Sequence, residues 1–90
     1  MNVTTDRHGK RVKEGDRVRV LSIDPSLVDS LEPEEKPRVK SMVGDTLIVD
    51  EVNDYGYALV EKWWHTGPES SVSHTVACSS NEIELIESVP

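Results

Sequence analysis

Cysteine is almost missing from this chain: Cys78 is the only one, so no internal disulfide can form and a four-thiolate zinc site is excluded by count. Aromatic residues are nearly as scarce, with two Trp, two Tyr and no Phe, so a core must be built from aliphatic side chains. No run approaches the roughly 18 to 20 apolar residues that a membrane-spanning helix needs. The opening Met1-Asn2-Val3-Thr4-Thr5-Asp6 lacks the apolar stretch of a secretion signal. A lone thiol and no signal predict a reducing, cytoplasmic setting, in which the Asn2-Val3-Thr4 sequon is a coincidence of common residues.

Basic charge is also short. Ten Lys and Arg stand against 17 Asp and Glu, a net charge of −7. Arg7, Lys10, Arg11, Lys13, Arg17 and Arg19 give residues 1–20 a balance of +3, which leaves −10 on the remainder. An acidic body repels phosphate, and nucleic-acid affinity is largely Lys and Arg neutralising phosphates, so nucleic acid is an unfavourable general partner. Ninety residues support one core, hence one domain over residues 1–90 with residues 1–12 as a partly flexible arm. Apolar residues at 36% against 30% charged predict a modest core and exclude a disordered chain.

Along the chain, Asp6-Arg7-His8-Gly9 and Glu14-Gly15-Asp16 carry turn chemistry, with Val12 in a short extended piece between them. Arg17 to Ile23 alternates, with Val18 and Val20 on one face, and reads as the first strand. Asp24-Pro25 stops it, because proline has no amide hydrogen for a ladder. In the long connection that follows, Leu31, Val39, Met42 and Val43 fit one side of a short helix. Pro37 either opens that helix, giving Lys36 to Met42, or breaks a longer one, and Gly44 ends it.

Thr46–Val52 and Tyr57–Trp64 are β-branched runs around Asn53-Asp54-Tyr55-Gly56, which predicts an antiparallel hairpin. His65–Ser71 reads as an exposed loop, followed by a strand from about Ser73 to Cys78. Ser79-Ser80-Asn81-Glu82 has capping-box spacing for one 3₁₀ turn, and Ile83–Ile86 forms the last strand. Five short strands bury their apolar faces best by curling into a small barrel, with the short helix after the first strand covering one end. The inward set is Val18, Val20, Leu47 or Ile48, Val49, Ala58, Val60, Val76, Cys78, Ile83 and Leu85.

Lys13-Glu14-Gly15-Asp16-Arg17-Val18-Arg19-Val20 resembles the G-D-x-V-x-V opening of many SH3-like barrels, including KOW-type modules and the β-subunit domain of nitrile hydratase. Ser41-Met42-Val43-Gly44-Asp45, His74 and Asn81-Glu82-Ile83-Glu84-Leu85 look like the ferredoxin-thioredoxin reductase variable subunit and the SH3-like accessory subunit of photosystem I. The resemblance spans residues 13–87 and is strongest to small bacterial proteins of this type. It implies a mostly β, five-stranded SH3-like barrel that docks on a larger partner and carries no redox or catalytic group of its own.

The residues themselves offer little for chemistry. His74 and Cys78 lie four apart, about 13 Å along a strand, beyond the reach of a nucleophile and its base. His8, His65 and His74 occupy separate segments with no metal-binding spacing, and Glu34-Glu35, Asp50-Glu51 and Glu82/Glu84 read as solvated faces. No enzyme, cofactor or metal is expected. Tyr55, Tyr57, Trp63 and Trp64 cluster on the hairpin, and adjacent Trp63 and Trp64 must point to opposite faces. Either Tyr57 and Trp63 line a groove for an extended peptide, or both tryptophans cap the ends of the barrel. The function expected is a non-enzymatic accessory or adaptor domain, monomeric alone, that binds a protein through these aromatics and an acidic rim. The alternative is a KOW-like contact with RNA or the ribosome through Arg7, Lys10, Arg11, Lys13, Arg17 and Arg19. The competing and better explanation of these basic groups is that they guard an edge strand against aggregation.

Overall fold

The computed structural model describes residues 2–89. It is mostly β, with a two-stranded sheet, a five-stranded sheet and two short helices. Strands β1 (Val3–Thr5) and β2 (Arg11–Lys13) pair antiparallel as a hairpin, Thr4 opposite Val12. The segment expected to be a partly flexible arm thus contributes a paired hairpin and a fully buried Val12. The larger sheet contains β3 (Arg17–Val20), β4 (Thr46–Val52), β5 (Ala58–Gly67), β6 (Ser70–Cys78) and β7 (Ile83–Glu87). Its order is β6-β5-β4-β3-β7, every neighbouring pair antiparallel, so β6 and β7 are the outer strands.

The alternation in β3 buries Val18 and Val20 and exposes Arg17 and Arg19. This strand ends at Val20 and not at Ile23, with one further backbone bond, Leu21 N to Glu82 O at 2.7 Å, next to the Val20–Ile83 pair. The hairpin between β4 and β5 forms at the expected residues. Asn53 Oδ1 accepts from the amides of Tyr55 and Tyr57, and Gly56 takes a φ of +81°, where a Cβ is unfavourable. A register shift between Val49 and Glu51 turns both Val49 and Val52 inward, which breaks strict alternation. Leu47 packs against the core while Ile48 is exposed, which decides between the two inward candidates.

Three expectations need correction. The connection after β3 holds two helices, α1 (Pro25–Asp29) and α2 (Lys36–Lys40), where one was predicted. Pro25 does not end the strand, which is already over at Val20; it opens α1 in the first-turn position that proline tolerates, with Asp24 accepting from Ser26 N as N-cap. Val39 and Met42 are buried as expected, whereas Val43 is exposed, because the chain leaves the helix after Lys40 and curls through a turn. Finally, residues 65–71 are not a loop: β5 runs to Gly67, and Ser70 opposite it begins β6. Only Pro68 and Glu69 lie between the strands, and a backbone ladder can extend past the core without apolar side chains.

One cluster of buried side chains joins both sheets and both helices. Val12, Val28, Val39, Met42, Val52 and Ile83 close around the valines of β3, β4 and β5, with Ala58, Val76 and Cys78. The last turn is built as expected, with Glu82 Oε1 accepting from the amide and hydroxyl of Ser79. No described helix is long and apolar enough to cross a membrane.

Candidate functional site

The Gly15-Asp16 pair is a folding device. Gly15 has a φ of +90°, and its amide donates to Val49 O while Val49 N donates to Asp16 O, both at 2.8 Å. The Asp16 carboxylate is fully buried and accepts from Lys13 N, Lys13 Nζ and Val89 N. Burial pushes its pKa up, but these donors outweigh burial and hold the carboxyl below the ordinary value of 3.8. Asp6 is its counterpart. Burial again opposes the charge, and the amides of Leu85, Lys10 and His8 again prevail.

The hairpin aromatics do not come together. Tyr55 sits at the turn tip, 86% exposed. Tyr57, just before β5, and Trp63 within it lie six residues apart, about 20 Å in an extended chain. Trp64 points the other way and is half-buried against the core. Lys62 Nζ lies 5.5 Å from the centroid of its ring while paired with Asp45, so the cation joins the tryptophan to the start of β4. Trp64 also shares a small cavity with Arg38 of α2 and with Val72 and His74 of β6. The question the sequence left open is answered: Trp63 faces solvent and Trp64 packs inward.

Trp63 is 59% exposed, and its indole N–H donates to Glu61 Oε1 at 3.0 Å. Thr75 Oγ1 donates to the other oxygen of Glu61 at 3.3 Å, so two strands fix the carboxylate that orients the ring. Beside it lies Ile48, 55% exposed, and the two share a depression of about 350 Å³ with Glu14, Asp50 and Glu61. The sequence alone assigns none of Ile48, Glu14, Asp50 and Glu61 to a site by number: it makes Ile48 an inward candidate, Glu14 a turn residue and Asp50 part of a solvated face. The period-2 alternation of β4 and β5 places Ile48, Asp50, Glu61 and Trp63 on solvent faces, but only the register makes them neighbours. Arg17, opposite Ile48, borders this face. A second and broader depression, about 620 Å³, contains Tyr57 with Thr75, Ala77, Ser79, Glu82, Asp24 and Leu27.

Of the basic groups, Arg7, Lys10, Arg11, Arg17 and Arg19 are exposed. Lys13 is engaged by Asp16 and by Val89 O at 2.6 Å, and Glu84 lies 4.0 Å from Arg19 and 3.2 Å from His8. Cys78 is buried, and burial together with Glu82 pushes its thiol up to about 12, so it is held as an unreactive thiol. Among the described residues no three His, Cys, Asp or Glu side chains gather to hold a metal. In comparison with known proteins, the chain matches no family model, no curated protein and no solved structure.

Proposed function

We propose that the chain is a non-enzymatic adaptor domain, an SH3-like small barrel in class, that binds a protein partner through the sheet face around Trp63. The strand order supports the class. The last strand lies beside the first strand of the larger sheet, a three-strand meander runs away from it, and a 3₁₀ turn precedes β7.

The observation that carries the function is the exposed Trp63, pinned by Glu61 and adjoining exposed Ile48. A large side chain held in solvent in one orientation loses little freedom on binding, which is the property of interface anchors. Glu14, Asp50 and Glu61 form the acidic rim and favour a partner surface of positive charge. Tyr55 and Tyr57 belong to the flanks of this interface, and Trp64 supports the strand from behind.

Affinity capture from native extract tests the reading when run with wild type, Trp63→Ala and Ile48→Ser. The Trp63→Ala variant should weaken the recovered interaction by about thirtyfold, the loss expected of a central anchor. Recovery unchanged by either substitution sinks the proposal. Binding that instead collapses steeply with added salt, and that depends on Arg7, Arg11 and Arg17, would favour the RNA reading.

A further inference from the structure

The 620 Å³ depression lies against β6, the outer strand of the sheet. In an antiparallel ladder every second residue of an outer strand turns its N–H and C=O away from the neighbouring strand. No backbone group of Ser70–Cys78 has a partner beyond the β5 pairing among the described residues. Natural sheets normally guard such an edge with charge or proline. Over Ser70–Cys78 there is no Asp, Glu, Lys, Arg or Pro, in a chain that is 30% charged.

The depression beside this edge has a definite chemistry. Thr75 and Ala77 of β6 form one wall, Tyr57 and Leu27 supply apolar surface, and Asp24 and Glu82 supply two carboxylates with no basic residue among the lining. We propose that β6 is a strand-addition site for an extended, net-positive segment of another protein. The segment pairs its backbone along β6 and sends a basic side chain into the depression between Tyr57, Asp24 and Glu82. Main-chain hydrogen bonds supply affinity in this mode, and alternate side chains supply specificity. A second copy of the chain is the poorer occupant, since it brings another body of charge −7 to the same place. The site touches the surroundings of Trp63 only through Thr75, which braces Glu61, and through Tyr57 on the flank; Trp63, Ile48, Glu14 and Asp50 lie outside it, so a response at Trp63 tells the two surfaces apart.

Amide NMR on the whole chain tests this with two probes, the peptide Ac-Val-Lys-Val-Lys-Val-NH2 and its glutamate counterpart. In the free protein alternate β6 amides should exchange their hydrogens quickly. The lysine peptide should slow that exchange and shift the resonances of residues 71–77 and Leu27, while the Trp63 indole N–H stays in place. The glutamate peptide should bind at least about tenfold more weakly. Methylating the amides that the lysine peptide presents to β6 should abolish the protection. Uniform protection of β6 in dilute free protein would mean that the chain covers its own edge, and protection that grows with protein concentration would assign the edge to a second copy. Either result overturns the proposal, as do equal affinities for the two peptides or shifts confined to Trp63.

Discussion

The five-stranded sheet has two outer strands, and the molecule treats them differently. Along β7, Leu85 N donates to Asp6 Oδ2 at 2.8 Å and Arg7 N donates to Ile83 O at 3.0 Å, so the β1–β2 hairpin completes that edge. Glu84 and Glu87 add charge to it. Along β6 nothing comparable exists among the described residues, although the strand is almost twice as long. Folding therefore accounts for the closure of one side only. The bare side costs solubility unless something else covers it, and that contrast separates the part of the surface shaped by stability from the part available to a partner.

The strongest way to break this comparison is to remove Asp6. Its carboxylate accepts three backbone N–H groups, from His8, Lys10 and Leu85, and is nearly inaccessible to solvent. Asp6→Ala strands those donors and should cost about 2 to 3 kcal/mol, lowering the melting temperature by roughly 10 to 20 °C in a domain of this size. Leu85 should lose hydrogen-exchange protection while the β6 amides stay as they were. If Leu85 remained protected, the hairpin would not be what closes β7.

Acid offers a milder version of the same perturbation. Asp6 and Asp16 both have folded-state values below the ordinary 3.8, so each favours the folded state once ionised. Their contribution is present in full above about pH 5 and is lost as pH falls through 3.8 toward the folded values. Denaturant midpoints between pH 7 and pH 2.5 should drop in that window, and Asp16→Asn should flatten the drop. A stability profile without a slope there would mean that the two carboxylates are not held as described.

What could be read from the sequence, and what could not, follows the range of the interactions. The β4–β5 hairpin was legible because Asn53-Asp54-Tyr55-Gly56 and the runs beside it specify it locally, and Val18 and Val20 followed from alternation alone. Val52 was missed because the register shift at Val49 and Glu51 is a property of two strands together. Residues 65–71 misled because Gly67-Pro68 signals a turn, while the polar residues around it are held by pairing and not by burial. Asp6 and Asp16 looked like ordinary turn residues, since their partners Leu85 and Val89 lie more than 70 positions away. The candidate site was half legible: one exposed tryptophan could be inferred from Trp63-Trp64, but its company of Ile48, Glu14 and Asp50 needed the register.

The tryptophan pair sharpens the contrast between a surface made for stability and one made available. Trp64 packs against the core and under Lys62, so Trp64→Ala should cost about 2 kcal/mol, whereas Trp63→Ala, on the solvent face, should change stability by no more than about 0.5 kcal/mol. Chemical denaturation of the two variants checks this directly. Equal losses would mean that Trp63 is part of the fold, and its standing as a binding anchor would fall with it.

An equally small expected change in stability is the most informative about the open edge. Thr75 is exposed on β6, lines the 620 Å³ depression and faces Glu61 across the ladder, to which it donates a hydrogen bond of 3.3 Å. Thr75→Lys gives up that bond and gains an opposite charge beside Glu61, so stability should stay within about 0.5 kcal/mol of wild type. The substitution nevertheless installs the kind of charge that natural edges use to refuse a strand, and it places that charge where a cationic segment must enter. Binding of the lysine pentapeptide should weaken by about tenfold while the melting temperature barely moves. A variant that binds as wild type does would show that β6, bare as it is, is not where a partner strand is received.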